Sequence, residues 1–140
     1  MKLLDANVAF YAVGTAHRYK DPCIKLLTQA ARSSFAFAVD TELLQEVLYV
    51  YSYRGEKDRG LSVFDDLLTV FPSPLSIGPA EMVVARRIFA DFPELSPRDA
   101  IHAAVVETYQ LEGIVTTDRA FLQIPHLTVF DPIALASETP

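Results

Sequence analysis

The stretch from Ser96 to Asp118 reads SPRDAIHAAVVETYQLEGIVTTD. Ser96 with an acid three places on is a close variant of a helix capping box, and Pro97 suits a first helical position. The apolar residues after it predict a helix that ends near Gly113. Ile114-Val115-Thr116-Thr117 then reads as a short strand stopping at Asp118. A helix that runs directly into an apolar strand is the building unit of a parallel sheet covered on both faces.

The same alternation extends outward in both directions. The first four residues form a short apolar run at the start of the chain, read as the first strand with Asp5 at its end. Residues 21–32 follow as a helix, with Pro22 early and Ile24, Leu26, Leu27 and Ala31 apolar. Phe35-Ala36-Phe37-Ala38-Val39 is continuous enough for a strand buried on both sides. Asp40 or Thr41 caps the next helix, whose Leu43, Leu44, Val47, Leu48 and Tyr51 recur at helical spacing, and Gly55 ends it. Residues 57–70 predict another amphipathic helix, with Leu61, Phe64, Leu67 and Leu68 inward and Asp65 and Asp66 outward. Pro72 and Pro74 break the chain, Leu75-Ser76-Ile77 suggests an edge strand, and residues 79–92 return to helix with Val84, Ile88 and Phe92 on one face. Leu127-Thr128-Val129-Phe130 reads as the last strand, closed by Asp131-Pro132. The expected fold is one three-layer α/β/α domain over residues 1–140, with a central, mostly parallel sheet.

Composition bounds the function. The chain has 140 residues, 51% hydrophobic and 21% charged, enough for a core without covalent staples. A single cysteine, Cys23, excludes an internal disulfide framework and a multi-cysteine zinc site. No apolar run reaches the roughly 20 residues of a membrane span, and Met-Lys-Leu-Leu-Asp lacks the features of a signal peptide. The expectation is a cytoplasmic protein with no membrane attachment. Twelve Lys+Arg against 18 Asp+Glu give a net charge of −6, which argues against holding nucleic acid by bulk electrostatics. A metal in an acidic cleft stays compatible with that balance, because a bound cation inverts the local sign.

The placement of four carboxylates is more telling. Asp5 and Asp118 fall at the carboxyl ends of strands, where open α/β sheets bind their ligands. Asp99 lies in the first turn of the helix that leads to Asp118. Glu46 sits at the edge of its helix's apolar stripe, where a side chain reaches a cleft rim. Carboxylates that converge from distant segments suit Mg²⁺ or Mn²⁺, which take oxygen ligands. Such an ion supplies an activated water and neutralises charge on a phosphodiester. On the residues alone each acid keeps a second reading. Asp99 also fits a helix cap, Asp118 a turn with Arg119, Asp5 a cap shared with Asn7, and Glu46 a solvated helix position.

Four segments in this order resemble the PIN-domain family, and most of all its small ribonuclease toxins called VapC. They are Leu3-Leu4-Asp5-Ala6-Asn7-Val8, the run from Thr41 to Leu48, the run from Ser96 to Ala104, and Thr116-Thr117-Asp118-Arg119-Ala120-Phe121. The resemblance spans essentially the whole chain. It implies an acidic cluster of Asp5, Glu46, Asp99 and Asp118, with Asp5, Asp99 and Asp118 on the metal. It also implies a Mg²⁺- or Mn²⁺-dependent endoribonuclease that leaves a 5′-phosphate, forms homodimers and is blocked by a cognate antitoxin. Asn7 and Thr117 match polar positions that line the pocket. Arg98 and Arg119 adjoin proposed ligands and either steady a phosphate or pair with the neighbouring acids. His102 falls one turn after Asp99 and reads as structural, with a general-base role as the alternative. Tyr49, Tyr51 and Tyr53 crowd one helix end, as packing or as a partner surface. A haloacid-dehalogenase phosphatase would need Asp-x-Asp where Asp5-Ala6-Asn7 stands, and a receiver domain needs adjacent acids and a late lysine. A non-catalytic PIN-like RNA- or protein-binding module is the rival reading, and such modules usually lack one of the four acids.

Overall fold

The computed structural model describes residues 1–138. Four short strands, β1 (Lys2–Leu4), β2 (Phe37–Ala38), β3 (Ile114–Val115) and β4 (Val129–Phe130), form one sheet in the order β2-β1-β3-β4. All its pairings are parallel. Among the described residues seven α-helices surround it: α1 (Ala6–Val13), α2 (Lys20–Arg32), α3 (Thr41–Tyr53), α4 (Lys57–Val70), α5 (Pro79–Asp91), α6 (Pro97–Thr108) and α7 (Pro132–Ser137). A 3₁₀-helix, Arg119–Gln123, follows β3.

Strand alternation divides the apolar residues between two cores. Leu3 and Ile114 pack on one face with Ala104 and Val105 of α6, Ile88 of α5 and Phe121. Leu4 and Val115 pack on the other with α1 to α4, through Val8, Leu26, Leu43, Val47 and Leu67. Helices on both faces of a parallel sheet make the three-layer arrangement expected from the sequence.

Several boundaries differ from the expectation for local physical reasons. The second strand shrinks to Phe37–Ala38, and Phe35 is 81% exposed, because the apolar run overshoots the sheet edge. Leu61 is 46% exposed on α4, whereas Val63 takes the inward place beside Leu67. Leu75 makes a single parallel bridge to Asp40 rather than a strand. Helix α6 stops at Thr108, since Gln110 takes a left-handed φ of 53° that turns the chain toward β3. The chain enters α1 directly after Asp5, a helix whose apolar run Val8–Tyr11 gives little periodic signal. The six-residue α7 follows Asp131, where only a strand end was expected. Gly55 ends α3 as expected, at φ 72°. Gly113 permits a close approach: a Cβ there would lie 2.2 Å from the Thr128 carbonyl oxygen, so a side chain would push β3 off β4.

Candidate active site

The carboxyl ends of β1 and β3 lie side by side, because Asp5 N–H donates to the Val115 carbonyl at 3.0 Å. Asp5 is the N-cap of α1, its Oδ1 accepting from Ala6 N–H at 2.7 Å. Its Oδ2 accepts from the Thr116 hydroxyl at 2.7 Å and from the Asn7 amide at 3.2 Å. Thr116 Oγ1 also accepts from Asn7 at 3.1 Å and from Asp118 N–H at 3.0 Å. One buried hydroxyl thus joins the first and third strands to both strand-end acids. Burial is the largest influence on the Asp5 carboxyl and lifts it from 3.8 to about 6, against the opposing pull of His102 and the Thr116 hydrogen bond.

Helices α3 and α6 bring in the remaining groups. Asp40 caps α3, its Oδ1 accepting from Leu43 N–H at 2.9 Å, while its Oδ2 lies 2.6 Å from His102 Nδ1. Both side chains are fully buried. His102 Nε2 lies 3.7 Å from an Asp5 oxygen and 3.8 Å from Glu46, too far for hydrogen bonds. It is a buried nitrogen with no hydrogen-bond partner. Burial alone would lower the His102 pKa. The Asp40 charge and hydrogen bond, with Glu46 and Asp5 behind them, hold it well above the ordinary 6.5. Glu46 is half-buried; the attraction of His102 and Arg98 outweighs the effect of burial and keeps its carboxyl below the usual range.

Among the described residues, Asp5, Glu46 and His102 are the one group of three whose ligand atoms all lie within 4.8 Å of one another. Asp99 and Asp118, expected beside Asp5, are not members of that compact group. Asp99 is committed to its own helix start: Ser96 and Asp99 form a reciprocal capping box, with bonds of 3.2 and 3.4 Å. Asp118 caps the 3₁₀-helix, accepting from Ala120 N–H at 2.9 Å. The two acids still sense each other, because burial and then the Asp118 charge raise the Asp99 pKa. Arg98 pairs with Glu46 at 3.3 Å and Glu42 at 3.8 Å, and lies 4.4 Å from the centre of the Tyr49 ring. This is the ion-pair alternative of the sequence reading. Thr117 and Arg119 line a groove of about 510 Å³ together with Thr116 and Asp118. A second groove, about 620 Å³, starts at Asn7 and Glu46 and continues past Arg54 and Arg59. Tyr11 borders both grooves.

The sequence does not mark Thr116 and Asp40 as site residues. Asp40 is legible only as a cap, and Thr116 and Thr117 form one polar pair at a strand end. Period-two alternation is the signal that distinguishes them, since Thr116 is buried and Thr117 half-exposed.

A family model described as PIN domain matches residues 2–127. Among curated proteins, ribonuclease VapC13 of Mycobacterium tuberculosis is 30% identical over 125 residues, covering 89% of this chain and 95% of its own. Ribonuclease VapC7 of the same organism is 28% identical over 127 residues, covering 89% and 86%. Among solved structures, VapBC2 from Rickettsia felis bound to a promoter DNA fragment superimposes with a TM-score of 0.73 at 18% identity, covering 92% of this chain and 96% of that one. FitAcB from Neisseria gonorrhoeae gives 0.74 at 18% identity, covering 95% and 99%. At that identity the structural likeness speaks for the fold.

Proposed function

Because the chain belongs to the PIN domain family, we propose that it is a metal-dependent endoribonuclease and the toxin of a toxin–antitoxin pair. The observation that carries the reading is Asp5, a buried carboxylate at a strand end, held by three donors and faced by Glu46 from another helix. Relatives named as VapC ribonucleases match nearly the whole chain, which supports the same activity here.

The residues fit a divalent cation. The donor set is rich in carboxylate oxygens, as Mg²⁺ and Mn²⁺ require. Asn7 Oδ1 is a buried oxygen with no hydrogen-bond partner, beside Asp5. We assign Asp5, Asp99 and Asp118 to hold the ion, with Glu46 at the rim. A bound ion supplies an acidified water and neutralises charge on the phosphate. The protein's own part is positional. Thr116, Asn7 and the Ala6 amide fix the Asp5 carboxyl, and Arg98 holds Glu46 Oε1. Arg119 lines the groove beside Asp118, where it suits an RNA phosphate.

We further take the protein to form homodimers and to bind a cognate antitoxin. Leu48, Tyr49 and Leu61 border one shallow hollow and are all substantially exposed, which supports a protein partner. No helix among the described residues is long and apolar enough to cross a membrane. Stripping the protein with a chelator and restoring Mg²⁺ or Mn²⁺ should restore cleavage of RNA to 5′-phosphate products. If neither metal uptake nor cleavage appears, the protein is a binding module and the proposal fails.

A further inference from the structure

His102 lies outside the four acids expected to form the site, yet its geometry does not suit a purely structural histidine. Its Nδ1 is tied to Asp40 at 2.6 Å, which fixes the ring. Its Nε2 is fully buried, has no hydrogen-bond partner and faces Asp5 at 3.7 Å and Glu46 at 3.8 Å. A buried polar atom left unsatisfied costs stability, so it persists where something else occupies it. Two carboxylates at these separations are too distant to bond the nitrogen directly. They leave the spacing of neighbouring ligands around one transition-metal ion, whose bonds are roughly 2.0–2.2 Å long. The Asp40–His102 pair also has the form in which proteins present imidazole to metals, the outer nitrogen held by a carboxylate and the inner one free.

We infer that His102 Nε2 is a further ligand of the ion that Asp5 holds, on the side where Glu46 stands at the rim, and that Asp40 is the positioning residue behind it. This rests on the metal-dependent reading above and deepens it. The consequence is selectivity. Mg²⁺ takes oxygen ligands and dehydrates reluctantly, whereas imidazole suits Mn²⁺ and the later first-row ions better. The site therefore prefers Mn²⁺ to Mg²⁺ by roughly tenfold or more.

The test is pulsed electron paramagnetic resonance on chelator-stripped wild-type protein reloaded with Mn²⁺. Coupling of the metal electrons to a directly bonded ¹⁴N is expected. His102→Asn keeps an amide nitrogen near the Nδ1 position, so it retains the Asp40 bond but has no Nε2. It should lose the ¹⁴N signal, bind Mn²⁺ about 10- to 100-fold more weakly by calorimetry, and shed most of the preference over Mg²⁺. Asp40→Asn, which still caps α3, should keep the signal and weaken Mn²⁺ binding by a similar factor, which covers the case of an unstable His102 variant. Mn²⁺ bound to the wild type without nitrogen coupling overturns this inference and leaves the ribonuclease reading intact. Failure to bind either metal overturns both.

Discussion

The acids of the site fall into two pairs that are built differently. Asp5 and Glu46 each have a partner far away in sequence, Thr116 at 111 positions from Asp5 and Arg98 at 52 from Glu46, although Ala6 and Asn7 also hold Asp5 locally. Asp99 and Asp118 are fixed by their own helix starts, three and two residues away. The first pair is preorganised by the tertiary fold and pays desolvation for it, as the raised Asp5 pKa records. The second pair is placed by its own helix starts, although Asp99 too is half-buried and has its pKa raised by burial. If the proposed ion binds here, the cleft has a back wall tied across the fold and a rim set by local helix starts, which suits a site that must hold an ion and admit a large, flexible substrate.

The largest effect that tests this contrast is on cleavage. Asp5→Asn should lower RNA cleavage on the order of 10³-fold, the scale of losing one preorganised charged group. The shape is unchanged, so near-ultraviolet circular dichroism should stay native. Retained cleavage would put the chemistry at the rim instead.

Next comes the pH dependence of stability in the presence of a chelator. The folded protein holds its Asp5 proton up to about 6, the unfolded chain only to about 3.8. Folding therefore takes up a proton at Asp5 between those values, and the Asp5 contribution to stability falls as pH rises through that window, by at most about 3 kcal/mol. His102 has the same sign at higher pH, since its raised pKa stabilises the fold below 6.5 and that contribution is lost as pH rises through the folded value. Urea titrations from pH 4 upward would show the decline, and Asp5→Asn should flatten its acid part. An acid window that Asp5→Asn leaves unchanged would contradict the burial assigned to Asp5.

Thr116→Val should cost about 1–3 kcal/mol in the same titrations, because it strands the Asp118 N–H and the Asn7 amide that the hydroxyl satisfies. It should also raise the Asp5 pKa further, by removing a hydrogen bond to the carboxylate. The smallest stability effect belongs to the rim. Asp99→Asn should shift unfolding by only a few tenths of a kcal/mol, because an amide oxygen can still bond the Ser96 amide of the capping box. Its cleavage loss should be well short of that of Asp5→Asn. Equal losses would erase the distinction between wall and rim.

The same division explains what could be read from the sequence. Much of what is held locally is legible: the Ser96–Asp99 box, the Asp40 cap, the limits of the helix from Lys57 to Val70, and the strand ending at Asp5; the short helices α1 and α7 are not. Glu46 was legible from helical periodicity alone. The Asp40–His102 pair spans 62 positions and carries no local signal; each residue taken singly looks like a cap and a histidine in an apolar helix. The tyrosines follow the helical period: Tyr51, on the stripe with Leu44 and Val47, is buried, whereas Tyr53, two places on and on the opposite face, is 85% exposed.

The two-core arrangement of the sheet has a consequence for quality control of the fold. Leu3 and Leu4 feed opposite cores, and Asp5 is the next residue along. In a strand of three residues, a slip by one position would exchange the faces of both leucines and rotate the carboxylate out of its bonds to Thr116 and Asn7. If Asp5 carries the proposed role, misassembly and inactivity are a single event, and a chain that gets its first strand wrong cannot also be armed.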